Sequence, residues 1–262
     1  MYLDHAAATP CDTTVLQTMA PFFSSDFANP SALYGASVAA RSVVEDARKK
    51  VADILFAQPD TIVFTSGGTE SINLAILGTA KKRQMLNVKC QMPPHIITTA
   101  IEHHAALDAM RHMETEGFVV TYLPVDHEGS IRVEDFKKAL RPETALVSIM
   151  YANNEIGVIQ PIAEVGREIL KWRKTKFKVQ SSEFGVNWPY FHTDACQAAA
   201  YLDLNVEKLH VDLMSVNSSK IYGPKGSGIL YKRRGVEIEP LMYGGGQEFG
   251  LRSGTENVPG IL

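Results

Sequence analysis

Two residues near the C-terminal half carry the chemistry most open to reading. Lys220 lies in Ser215-Val216-Asn217-Ser218-Ser219-Lys220-Ile221-Tyr222-Gly223-Pro224. The apolar run Val211 to Val216 predicts a buried strand, and Tyr222-Gly223-Pro224 breaks the chain after it. A lone amine therefore sits at a strand end in a tight polar loop. An amine kept from water can form a Schiff base. Asp194, in Tyr190-Phe191-His192-Thr193-Asp194-Ala195-Cys196-Gln197, marks a second strand end. A Schiff-base lysine with an aspartate for a pyridinium nitrogen is the pairing that pyridoxal phosphate (PLP) chemistry needs. Taken singly, each residue has a plainer reading: a solvated lysine, and an aspartate that caps a turn.

Other strand ends add to the pair. Thr61 to Phe64 reads as a strand, followed by Thr65-Ser66-Gly67-Gly68-Thr69 and a helical face of Ile72, Ala75, Ile76 and Thr79. Free amides at such a helix N-terminus favour an anion, and glycine lets the backbone approach. An ordinary strand-to-helix turn has the same composition. His103 follows the strand Ile96 to Ala100; it suits ring stacking and proton transfer, or equally a helix cap. Asn154 follows the apolar run Ala145 to Ala152, in what composition alone makes a turn. Ligands of open α/β sheets bind outside the carboxyl ends of strands, which is where all these residues fall.

The elements that must position them alternate. Ser37 to Phe56 predicts a long amphipathic helix with Val43, Val44, Ala47, Val51 and Leu55 on one face. Strands are expected near Ile62, Ile96, Val120, Val147, Phe191, Leu213 and Ile229. Helices are expected over Asn73 to Ala80, Ala105 to Glu116, Val133 to Leu140 and Ile162 to Trp172. This predicts an α/β fold with a mostly parallel sheet flanked by helices. Trp172 to Trp188 reads as a surface excursion, and Ile238 to Leu262 as a Gly-rich arm.

Composition agrees with a cytoplasmic enzyme. The 262 residues are 45% hydrophobic with a net charge of -3, so a sizeable core is expected and nucleic acid is not. Three cysteines give no even disulfide framework. No apolar run approaches a membrane span, and no leader pattern precedes Tyr2-Leu3-Asp4-His5, so Met1 reads as the start. His192, Asp194 and Cys196 alternate by two, a spacing that also admits a metal, although PLP already accounts for Asp194.

Seven stretches together carry a family resemblance. They are Tyr2 to Pro10, Phe64 to Ser71, Glu102-His103, Asn153 to Gly157, His192 to Gln197, Ser219 to Gly226 and Gly244 to Thr255. In that order they resemble the cysteine desulfurases, class V PLP enzymes of the aminotransferase fold. The resemblance implies the large domain of a type I PLP-dependent transferase, with a seven-stranded sheet. It implies an N-terminal segment, 1–14, contributing to a small domain. The PLP-binding domain would then be 15–262, including a dimer arm, 243–257.

It also implies roles. Lys220 would hold PLP, Asp194 would pair with its ring nitrogen, and His103 would stack on the ring and move protons. Asn154 and Gln197 would bond its phenolic oxygen. Gly68 and Thr69 would bind its phosphate, and Thr255 would reach the phosphate of a partner subunit in a homodimer. The implied reaction converts L-cysteine to L-alanine. Sulfur would pass as an enzyme persulfide to an iron–sulfur scaffold or a tRNA-thiolation protein. Selenocysteine lyase is the alternative within the fold, and a phosphate binder using only Gly67-Gly68-Thr69 the alternative outside it.

Two departures stand out. The family usually has histidine directly before the lysine and serine three before it, where this chain has Ser219 and Asn217; both can still donate to a phosphate. Family members also continue beyond the arm into a mobile loop with a nucleophilic cysteine and a carboxylate-binding arginine. Residues 1–262 alone are therefore expected to bind PLP without efficient desulfuration, a PLP-binding truncated protein being the other reading. Cys11, Cys90 and Cys196 read as poor substitutes, Cys196 as a packing residue.

Overall fold

The computed structural model describes residues 1–86, 92–177 and 188–262. Its centre is a seven-stranded sheet: β1 (Ile62–Thr65), β2 (His95–Thr99), β3 (Val119–Leu123), β4 (Thr144–Ser148), β5 (Tyr190–Asp194), β6 (Leu213–Asn217) and β7 (Gly228–Lys232). The order across the sheet is β1-β7-β6-β5-β4-β2-β3. β7 runs antiparallel to both its neighbours, and the other pairings are parallel. The expected seven-stranded, mostly parallel sheet is therefore present. Six strands point the same way, so their carboxyl ends share one edge.

The core explains the strand sequences. Alternate residues enter opposite faces, as a period of two requires. Ile62 and Phe64, Ile97, Val147, Phe191 and Met214 lie on one face. Against them pack α2 (Gly35–Leu55), α5 (Val133–Ala139) and α6 (Ile162–Phe177). Val63, Ile96, Leu146, Tyr190 and Leu213 lie on the other face, under α3 (Gly68–Leu86) and α4 (His104–Thr115). Burial on both faces is why these strands read as continuous apolar runs.

Polar side chains cross this core in two ladders. His192 on β5 bridges Ser148 on β4, 2.8 Å from Nδ1, and Ser215 on β6, 2.9 Å from Nε2. Burial pushes its pKa down to about 3, so the ring is neutral. His95 on β2 bridges Thr144 and Thr121 in the same way. Burial, and then Arg141, lowers its pKa to about 4.

Several boundaries differ from the sequence expectation. The run Ala145 to Ala152 is strand only to Ser148, although Ile149 and Met150 stay buried as the chain leaves the sheet. β6 extends one residue beyond Val216, to Asn217. α6 continues past Trp172 to Phe177, so the expected surface excursion is helical at its start; residues 178–187 lie outside the described residues. Short elements not anticipated include α1 (Thr13–Met19), α7 (Val206–Leu209), α8 (Val258–Ile261) and turns of 3-10 helix at Ser218–Lys220 and Glu248–Gly250. A boundary at residue 14 falls inside α1. The C-terminal arm is also less loose than its glycines suggest, since Val258, Ile261 and Leu262 pack on the α2 face.

Candidate active site

At the carboxyl edge of the sheet the strand ends enclose a cavity of about 700 Å³. Gly68, Thr69, His103, Asn154, Asp194, Gln197, Asn217, Ser219 and Lys220 line it together. Thr255, the remaining residue singled out from sequence, is exposed and does not line it.

The floor is buried and held by backbone. Asp194 ends β5, and its Oδ1 accepts from the amide of Cys196 at 2.9 Å. Burial pushes the carboxyl above its usual range; the Cys196 amide and the charges of His103 and Lys220 pull against that shift. Cys196 is buried, with Sγ 3.8 Å from the Ser215 carbonyl. Burial, and then Asp194, pushes its thiol well up, the opposite of what a nucleophilic cysteine needs. His103 serves as a helix cap and also faces the cavity. It lines the cavity, and its Nδ1 caps α4 by accepting from the Ala105 amide at 3.1 Å. That bond leaves the ring proton on Nε2 when the ring is neutral.

One wall is the turn from β1 into α3. Gly67 has φ +145°, a conformation that favours glycine. A side chain at Gly68 would meet Cys196 Sγ at 2.7 Å and Asn217 Nδ2 at 3.3 Å, so the backbone can approach β6 only because Gly68 has none. The first turn of the 19-residue α3, Gly68 to Glu70, thereby lines the cavity, and the first amides of a helix have no partner within it. Glu70 reaches back to the Ser66 amide at 2.7 Å, while Arg252 holds its other oxygen at 3.0 Å. Burial works against this charge, yet the bonds from Ser66 and Arg252 prevail and keep the carboxyl below its usual range. Asn217 Oδ1 is buried with no protein partner.

The mouth is closed by distant chain. Lys220 Nζ donates to the Ala6 carbonyl at 2.6 Å and to the Ala7 carbonyl, and Gln197 Nε2 donates to Ala6 at 2.8 Å. Thr9 ties this N-terminal turn to the Ser219 carbonyl by its amide, 3.0 Å, and its hydroxyl, 3.1 Å. The arm is pinned from below. Glu248 is buried and takes both ends of the Arg48 guanidinium at 2.8 Å, plus the Phe64 amide at 2.7 Å. Arg48 also lies over the Phe64 and Phe249 rings.

Sequence reading missed Glu70, Lys225 and Glu102. Lys225 lines the cavity as a second amine. The signal for Glu70 was available, an acidic residue in the first turn after a Gly-Gly. The metal spacing of His192, Asp194 and Cys196 resolves differently, since the His192 ring is taken up by Ser148 and Ser215. Cys90 lies outside the described residues.

A strand-end cavity lined by an amine, a buried carboxyl group and a helix N-terminus lies at the edge of this seven-stranded α/β sheet. A model of the "Aminotransferase class-V" family matches residues 1–262. The chain belongs to that family. It is 47% identical over its whole length to the putative cysteine desulfurase IscS 1 of Bacillus subtilis, of which it spans 64%. It is 46% identical to the cysteine desulfurase IscS of Dictyoglomus turgidum, of which it spans 61%. A solved NifS-like protein superposes on all of it with a TM-score of 0.90 at 42% identity, the match covering 66% of that structure. The chain thus spans about three fifths of the length of these curated relatives.

Proposed function

We propose that residues 1–262 form the PLP-binding part of a cysteine desulfurase, which takes sulfur from L-cysteine, releases alanine and passes the sulfur to an acceptor protein. The observation that carries this is the convergence of Lys220, Asp194, His103 and the N-terminus of α3 on one cavity. The donor set suits the cofactor. Gly68 leaves a cradle that a Cβ would fill, and the free amides of α3 with Thr69 and Ser219 suit a phosphate. The unpartnered Asn217 amide oxygen faces the same space. The names of the relatives favour turnover of cysteine over a PLP-binding protein without turnover.

Bound there, PLP would supply an electron sink for bonds at the substrate Cα. Lys220 would be its covalent anchor, and afterwards the base nearest that carbon. To do so its amine must leave the Ala6 and Ala7 carbonyls, so the N-terminal turn acts as a stop that holds it meanwhile. Asp194 would keep the ring nitrogen protonated; a cation there restores the charge that burial opposes. His103, with its Nε2 free of the α4 cap, would lie on the ring and move a proton. Asn154 and Gln197 would donate to the phenolic oxygen. Cys196 would stay a packing residue under Gly68, and the sulfur would be taken by another thiol.

A homodimer with a shared site completes the proposal, Thr255 reaching the partner's phosphate from the arm. Its exposure, and that of Tyr243 and Phe249 on the same arm, supports this. Among the described residues no helix is long and apolar enough to cross a membrane.

The test is cofactor uptake followed by borohydride reduction and peptide mapping. A yellow protein with the adduct on Lys220, releasing alanine from cysteine when part of the full-length protein, is the expected result. An adduct on Lys225, or no uptake, would overturn the reading. Thr255→Ala should weaken PLP retention, and mixed dimers of Lys220→Ala and Thr255→Ala chains should recover part of the activity.

A further inference from the structure

Glu102 is a buried acid that the proposed chemistry does not use. It sits where the chain leaves β2, directly before His103, and is 5% exposed. Its Oε1 accepts from the Thr99 hydroxyl at 2.7 Å and from the Met150 amide at 2.9 Å. Oε2 is buried with no partner. A carboxylate with one oxygen bare in the protein interior is an uncompensated charge, whereas the neutral acid leaves only a hydroxyl unpaired.

The bonds of Glu102 join two strand ends. Met150 lies where the chain leaves β4, four residues before Asn154. A second tie runs beside the first: Asn153 Nδ2 donates to the Ile101 carbonyl at 2.9 Å, and Asn153 Oδ1 shapes the next turn by accepting from Glu155 and Ile156. His103 and Asn154 are thus carried by two loops bracketed together beneath the cavity. Asp194, at the end of β5, is the ionisable group that faces Glu102, and His103 and Lys220 face Asp194 in turn.

From this geometry we infer that Glu102 is a positioning residue that locks the His103 loop to the Asn154 loop as a neutral acid, leaving the buried negative charge of the site to Asp194. Burial, and more weakly Asp194, pushes its carboxyl up to about 8, in keeping with a proton retained at neutral pH. A second buried anion beside Asp194 would raise the cost of both charges; the protonated form removes that conflict while keeping both hydrogen bonds. The inference rests on the PLP reading for its purpose, and not for its geometry or its protonation.

The experiment compares Glu102→Gln with Glu102→Ala, first in cofactor-free protein. Amide exchange at Met150 reports the bond, and at Ala105 it reports the His103 cap. Glu102→Ala should speed both by ~10-fold or more, and Glu102→Gln should leave both within about threefold of wild type. Carbon-13 labelling of the glutamate carboxyls, with Glu102→Gln identifying the signal, should show a group titrating near 8. Stability gives an independent sign. The unfolded chain loses this proton near its ordinary value of 4.5 and the folded chain near 8, so Glu102 weakens the fold progressively as pH rises between them. The Glu102→Gln protein should therefore gain on wild type from pH 5 to 8 and level off above. With PLP present, Glu102→Gln should bind it within about threefold of wild type and Glu102→Ala ~10-fold or more weakly. Unchanged Ala105 exchange in Glu102→Ala would overturn the bracket. A carboxyl signal titrating near 4.5, or a flat stability difference, would overturn the neutral acid. Failure of the wild type to bind PLP would sink the cofactor reading, while the exchange and titration results would still decide the role of Glu102.

Discussion

The floor and the mouth of the cavity are built in opposite ways. On the floor, Asp194, Cys196 and Glu102 are buried, and each is held by backbone within a few residues of a strand end. At the mouth, Lys220 meets Ala6 and Arg252 meets Glu70, contacts spanning 214 and 182 residues, while the arm behind them is held by the buried pair of Glu248 and Arg48, 200 residues apart. The floor depends on neighbouring strand ends, whereas the mouth depends on residues distant in sequence. The groups at the strand ends are thus set by the sheet, and those over them by chain far away in sequence.

Breaking the mouth at its reactive centre should give the largest effect. Lys220→Ala should lower alanine formation by the full-length protein roughly a thousandfold and abolish borohydride labelling, because the proposed anchor amine is gone. Unfolding in urea should be little changed, since the amine contacts only two carbonyls of the N-terminal turn. A labelled Lys225 would show that the two amines are interchangeable.

On the floor, Asp194→Asn should retain PLP yet lose turnover by roughly a hundredfold, because a neutral amide cannot hold a proton on the ring. The visible spectrum of the bound cofactor reports that proton directly. Wild-type turnover in the variant would mean another group faces the ring nitrogen.

The arm tests whether the mouth is braced from within one chain. Arg48→Ala strands Glu248 as a buried charge and should cost about 3–5 kcal/mol by urea denaturation. Replacing both residues with methionine should recover part of that loss, since the Phe64 amide and the Ile62 carbonyl also lose their partners. Equal losses in the single and double variants would show that packing against Phe64 and Phe249, not charge, holds the arm.

The sheet beneath both regions gives a pH signature. His95 is neutral in the fold until pH falls to about 4, while in the unfolded chain it gains its proton near 6.5. The unfolded state therefore binds more protons across that window, and stability falls with acid by up to about 1.4 kcal/mol per pH unit for this group. His95→Gln lacks that slope, so the variant should gain on wild type as pH falls from about 6.5 to 4. A difference independent of pH would mean that the imidazole is protonated in the fold.

The smallest effect belongs to Cys196→Ser. Its thiol is buried and pushed up in pKa, so turnover should fall by less than about tenfold. Loss of cysteine-derived persulfide in that variant would make Cys196 the nucleophile.

Much of this was written locally. Alternating faces, such as Ile62 and Phe64 against Val63, fixed the strands, because a two-sided sheet must bury both sets. Each candidate on the floor followed such a run, so its place at one edge came from the parallel order alone. His103 shows the limit of that reading. Sequence offered a cap or a ring partner; the fold makes it the cap of α4 and leaves it lining the cavity.

What sequence could not state was which groups meet across two hundred residues, and in which charge state. Nothing in Gly244 to Thr255 announces that Glu248 dives under β1, since the arm has no period and its anchor is a single arginine on α2. Glu102 looked like any acid beside a histidine; only the closure of β4 over it removed its water and left Oε2 bare. Pattern determines which side chains face inward, because periodicity is a property of the chain itself. Pairing and protonation depend on what burial takes away, and burial exists only once the whole fold has formed.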